Sequence, residues 1–214
     1  MMTKTLSLTL AFLVLTWSNS SWASDSYLLP PDEMVANTSQ EDWSRAWWQW
    51  AGSFENSISP VADQTGEHCA RKQSGDVWFL AGTYETKRTI RTCTVPKGKY
   101  LFFPLINYVV MPRGNRPTSC FAVTSSAARM TEQVSSLLLE VDGKRHGDLT
   151  VHRQATRSCF DMGISAEPPI PIYPSAANGY YVMLRPLPPG KHTLNFGGAL
   201  PGMLQGVTYT LIVD

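Results

Sequence analysis

Hydrophobic and polar positions along this chain follow two different periods, and the change from one to the other organises the fold. Trp43, Trp47, Trp50 and Phe54 recur at i, i+4, i+7 and i+11, the repeat of one helical face. Thr38 or Ser39 can cap that helix, with Glu41 or Asp42 three residues on completing a capping box, and Gly52 with residues 56–60 marks its end. Trp48 stands off the stripe. Beyond Cys69 the chain turns to short runs rich in β-branched and aromatic residues. Residues 76–81 (DVWFLA) and 99–106 (KYLFFPLI) predict two core strands, opened by Ser74-Gly75 and Pro96-Lys97-Gly98, with the β-prone segment 89–95 between them.

Further along, residues 111–119 are turn-rich, and a second helix is predicted from Ser125 or Ser126 to about Leu137, with an apolar face modest enough for the outside of a sheet. Residues 137–141, Asp142-Gly143 and 148–152 predict strand, turn and strand. His146 and His152 flank this hairpin, and nothing in the sequence brings them together. Pro168, Pro169, Pro171 and Pro174 exclude regular structure from much of 158–177. Residues 179–185, 191–196 and 206–213 predict three last strands, with a Pro188-Pro189-Gly190 turn and a glycine-rich loop over 197–202. That loop lacks the strand–glycine–helix context of a nucleotide site. The pattern therefore predicts a mainly β protein: one antiparallel β-sandwich domain, jelly-roll or Ig-like, over 24–214, with an aromatic-rich N-terminal helix and one further short helix.

Residues 1–23 change the picture of where it works. Lys4, an apolar run over 6–16 and small residues at Ser21 and Ala23 match a cleaved secretory signal. A membrane anchor needs roughly 20 apolar residues, and this run stops at Ser18. No cysteine follows the cut to carry a lipid. The expected location is periplasmic or extracellular. Lys4 is the one charged residue removed from a total of 18 Lys+Arg against 17 Asp+Glu, so the mature charge is balanced and lacks the basic excess of a nucleic-acid binder. Lys87, Arg88 and Arg91, and Lys97 with Lys99, read as solvated faces of strands.

An even set of four cysteines, Cys69, Cys93, Cys120 and Cys159, in an oxidising compartment predicts two disulfides. Of three connectivities, Cys69–Cys93 with Cys120–Cys159 is favoured: the first closes one supersecondary unit, the second ties two loop-rich segments. The spacing does not suit a metal site, and no cofactor is implied.

Candidate chemistry is sparse. No Gly-x-Ser-x-Gly or His-Glu-x-x-His motif is present. The aromatic stripe suits docking on a sheet through its helical spacing, and sugar stacking is the competing use. Trp48, off the stripe, together with the loop residues Asp63, Glu67 and His68, forms the predicted ligand-binding region where the helix end meets the first core strand. The composition favours a non-catalytic exported sandwich that binds a glycan, a cell-wall fragment or a partner protein. The alternative is a glycan hydrolase using two of Glu55, Asp63, Glu67 and Asp76, since such chemistry needs only two carboxylates placed in space.

Several of these stretches together carry a resemblance. Gly75-Asp76-Val77-Trp78-Phe79-Leu80-Ala81-Gly82, then Cys93-Thr94-Val95-Pro96-Lys97-Gly98-Lys99 with Leu101-Phe102-Phe103-Pro104, Val141-Asp142-Gly143, and Leu187-Pro188-Pro189-Gly190-Lys191-His192-Thr193-Leu194-Asn195-Phe196-Gly197-Gly198 resemble a family of secreted bacterial β-rich proteins without an assigned activity. The resemblance implies export and a β-rich domain, and it transfers no catalytic residue. Cys120 and Cys159 fall outside the pattern.

Overall fold

A computed structural model describes residues 27–114, 117–163 and 171–214. The predicted signal, residues 1–23, lies outside the described residues, as do Pro168 and Pro169. Two helices, α1 (Gln40–Gly52) and α2 (Cys120–Met130), accompany nine described strands: β1 (Val77–Phe79), β2 (Thr89–Val95), β3 (Tyr100–Val110), β4 (Ser136–Val141), β5 (Lys144–Arg145), β6 (Arg153–Ala155), β7 (Ala176–Leu184), β8 (Gly190–Leu200) and β9 (Met203–Val213). They form a four-stranded sheet in the order β1-β3-β7-β6 and a five-stranded sheet in the order β2-β9-β8-β4-β5. The protein is mainly β, with two sheets and two helices, as the pattern predicts.

Alternation explains the layering. Leu101, Phe103, Val182 and Leu184 point from the four-stranded sheet into a core shared with Leu139, Leu194, Phe196, Tyr209 and Leu211 of the other, and the Phe103 and Phe196 rings sit 4.5 Å apart. The intervening positions Phe102, Tyr181 and Met183 face the opposite way and pack with Trp47, Trp50 and Phe54 of α1. Helix, sheet and sheet thus make three layers. β7 is buried along its whole length because both of its faces are covered, the reason continuous apolar runs mark such strands.

Pairing departs from the all-antiparallel expectation at two places. β1 runs parallel to β3, and β2 parallel to β9. Between β1 and β3 the chain crosses to the other sheet, lays down β2 at its edge and returns, which is the long connection a parallel pair requires. Segments close in sequence therefore belong to different layers.

Four boundaries also move. α2 starts five residues ahead of Ser125 because the Ser119 hydroxyl accepts from Ala122 N–H, and it ends where the Thr131 hydroxyl turns back onto the Ala127 carbonyl, 3.1 Å away. The predicted strand at 148–152 is a 3₁₀ turn, Leu149–His152, entered through Asp148 at φ 50. The hairpin partner of β4 is instead β5, reached through Asp142 and Gly143 at φ 50 and 77. The glycine loop at 197–202 is largely strand: β8 runs on to Leu200 and β9 starts at Met203, and a Cβ at Gly197 would lie 2.2 Å from the Gln205 carbonyl oxygen, so close cross-strand approach explains that glycine.

Both favoured disulfides are present, Cys69–Cys93 and Cys120–Cys159. The first ties the turn before β1 to β2 in the other sheet, joining layers and not closing one local unit. Among the described residues no helix is long and apolar enough to cross a membrane.

Candidate functional site

The residues singled out by sequence fall into two separate settings. Trp48 is half-buried, not exposed. Its indole N–H donates to the Tyr181 hydroxyl at 2.8 Å, and Asn107 donates to the same oxygen at 3.1 Å. Burial pushes the Tyr181 phenol far above its ordinary range, with those two hydrogen bonds opposing it, so the group stays neutral and serves as an anchor for α1. Trp48 also packs beside Phe160, Met162 and Ala177.

Asp63, Glu67 and His68 share a turn that lies against the edge strand β2. The Asp63 carboxylate accepts from the backbone N–H of Thr65, Gly66 and His68 at 2.8–3.0 Å. Burial works against its charge, but these hydrogen bonds prevail and hold its pKa below the usual carboxylate value. His68 is held by the Ser57 carbonyl on one ring nitrogen and Arg71 on the other, while Glu67 is exposed. Gly66 sits at φ +96, where a Cβ would lie 2.1 Å from the Thr92 carbonyl oxygen, and Thr92 N–H donates to Thr65 at 2.9 Å. The turn thus occupies hydrogen-bonding groups of an edge strand that would otherwise be open.

Arg91 overturns the reading of a solvated strand face. It is 1 % exposed. Its guanidinium donates to the carbonyls of Val61, Asp63, Ala81 and Gly82 and to the Tyr209 hydroxyl, all within 2.8–3.1 Å. The neighbouring Gln205 amide donates to the Pro104 and Leu105 carbonyls at 3.0 and 2.9 Å, where the β3 ladder shifts register. These buried polar groups are matched with partners, as burial demands, and they lock the loops 61–66 and 81–83 onto the sheets.

Open geometry lies elsewhere, on the outer face of the five-stranded sheet. Register places Leu138, Gly197 and Gly206 on one rung across β4, β8 and β9. With two glycines there, the face sinks into a trough of about 370 Å³ whose rim carries Thr86, Arg88, Ser136, Arg145 and Leu204. That volume lies in the range of small-ligand sites. Leu204 is 53 % exposed. Neither Arg88 nor Arg145 has a side-chain hydrogen bond or ion pair among the described residues. A Cβ at Gly206 would meet nothing within 4 Å, and its φ is not left-handed, so neither packing nor backbone conformation calls for glycine there.

A second depression of about 360 Å³ shares Ser136 and Leu137 with the trough and is lined by His146, Asp148 and Thr150. The structure brings His146 and His152 near one another: burial holds the pKa of both low, Asp148 opposes this at His152, and the charge of His146 reinforces it there. Among the described residues no group of three or more His, Cys, Asp or Glu side chains could hold a metal ion. The trough was illegible in sequence because it needs strands from distant parts of the chain, although Gly206 at an outward-alternating strand position was a visible signal. Compared with known protein families, with curated proteins and with solved structures, the chain matches none.

Proposed function

We propose that this protein is an exported, non-catalytic ligand-binding protein of the bacterial envelope, and that it binds on the outer face of its five-stranded sheet. The observation that carries this reading is the glycine-floored trough, whose two rim arginines make no ion pair among the described residues. A buried or paired arginine would be structural; these two are exposed and free to meet a ligand. The two disulfides fit an oxidising compartment, and the signal-like segment 1–23 supports export to the periplasm or beyond. The hydrolase alternative draws little support from Asp63, whose carboxylate is committed to its own turn and held ionised, unlike a general acid.

The test is a thermal-shift screen of the mature, oxidised protein against oligosaccharides and peptidoglycan fragments, since a ligand that binds only the folded state raises Tm. Gly206→Leu fills the trough from a position with open space around its Cβ. The expected result is a shift in the wild type that Gly206→Leu abolishes. A shift retained by Gly206→Leu places binding elsewhere and removes the trough.

A further inference from the structure

Resting on the trough as the binding site, we infer that its ligand is an elongated dianion: two acidic groups at either end of a short uncharged body. Arg88 directly precedes β2, whose even-numbered neighbours Ile90, Thr92 and Thr94 are exposed and whose odd-numbered residues are buried, so its side chain emerges on the outer face. Arg145 lies on β5, directly across from Glu140 of β4, again on the outer face with Ser136 and Leu138. β2 and β5 are the two edges of a sheet ordered β2-β9-β8-β4-β5. At about 4.8 Å per strand spacing, the two backbones stand roughly 19 Å apart, yet both side chains reach the same trough. The cations therefore approach from opposite ends.

Between them the surface is of another kind. The Gly197–Gly206 pair gives a flat floor without side chains, and Leu138 and Leu204 give aliphatic walls. Among the described residues neither arginine makes an ion pair, although Glu140 stands across the ladder from Arg145. The nearest carboxylate in the ladder, Glu140, accepts instead from the Asn195 side-chain amide at 2.8 Å. Such a site favours a ligand whose middle loses little on leaving water and whose ends each meet a guanidinium, the side chain best matched to a carboxylate through paired N–H donors. A linear dicarboxylate and an acidic disaccharide both present this chemistry.

The experiment measures binding by calorimetry and Tm for the mature protein with azelate, azelate monomethyl ester, digalacturonate and an uncharged disaccharide. The wild type and the variants Arg88→Ser, Arg145→Ser and Gly206→Leu are compared, with near-UV circular dichroism confirming that each folds. The expected result is binding of at least one dianion, weakened about ten-fold by either arginine substitution and by methylation of one carboxylate, an effect of one charge-assisted contact, and weakened further by salt. Azelate and digalacturonate distinguish an aliphatic source from a sugar acid. Binding of the uncharged disaccharide that Gly206→Leu removes and the arginine variants retain overturns the dianion while leaving the trough in place. A panel in which nothing binds overturns the dianion, and a ligand found by the wider screen that Gly206→Leu still binds overturns the trough itself.

Discussion

Arg91 carries a guanidinium into a site that is 1 % exposed, and among the described residues its direct partners are four carbonyls and a phenol, none of them a carboxylate. Burying a charge is tolerable only when its donors are satisfied, and here the carbonyls come from two separate loops. One side chain thereby fixes both loops. Arg91→Met keeps an unbranched apolar stem and removes the donors, leaving several buried carbonyls unpartnered at about 1–3 kcal/mol each; the expected loss of stability is about 3 kcal/mol or more by urea unfolding. An unfolding midpoint close to that of the wild type would contradict this role. The sequence held a signal that a count of charges obscures: in TIRTCTV, Arg91 shares its alternating face with Thr89, Cys93 and Val95, so an inward Cys93 implies an inward Arg91.

Elements are joined by a comparable clip at the other end of the five-stranded sheet. Asp142, in the β4–β5 turn, accepts from the His192 imidazole at 2.7 Å and from Thr193 N–H at 2.8 Å, and the second His192 nitrogen faces the Pro188 carbonyl at 2.8 Å. Both ring nitrogens meet acceptors, which favours the doubly protonated ring. Burial opposes that charge, but the bonds to Asp142 and Pro188 outweigh it and raise the pKa above the usual value. A raised folded-state pKa means the clip contributes fully below about 6.5, the unfolded value, and fades as pH rises through the folded pKa. His146 and His152 have lowered pKa values and act in the opposite sense, destabilising as pH falls below about 6.5. The clip is isolated by comparing wild type with His192→Gln in urea between about pH 5.5 and 8.5: the wild-type advantage should shrink as pH rises, and an advantage that does not vary with pH would exclude the imidazolium.

For the molecule as a whole, the disulfides act on different parts of the assembly. Cys69–Cys93 joins a turn ahead of the four-stranded sheet to the edge of the five-stranded one, and Cys120–Cys159 fastens the start of α2 to the segment after β6. Their sequence separations of 24 and 39 correspond to about 3.4 and 3.9 kcal/mol in the loop-entropy picture, nearly equal. Replacing each pair by serine should therefore lower stability by about 3–4 kcal/mol in either case, read as a fall in the urea midpoint under non-reducing conditions. A negligible effect from the Cys120/Cys159 pair alone would mean that α2 is held by packing on β3 and β7.

What the sequence determined by itself is whatever local chemistry dictates: α1 with its Ser39 cap, the span of β2, the Asp142-Gly143 turn, the mainly β character and the presence of two disulfides. These depend on residues within a few positions of one another, or on the arithmetic of four thiols. Only the tertiary structure decided that β1 and β2 belong to different sheets, that β2 runs parallel to β9, that Asp63 and His68 serve an edge strand, and that Trp48 anchors a helix. It also decided that Arg88 and Arg145, from opposite sheet edges, face one trough. Each of these turns on which distant segments become neighbours, and that is fixed by the total burial of two sheets and a helix, a quantity no short window of sequence contains.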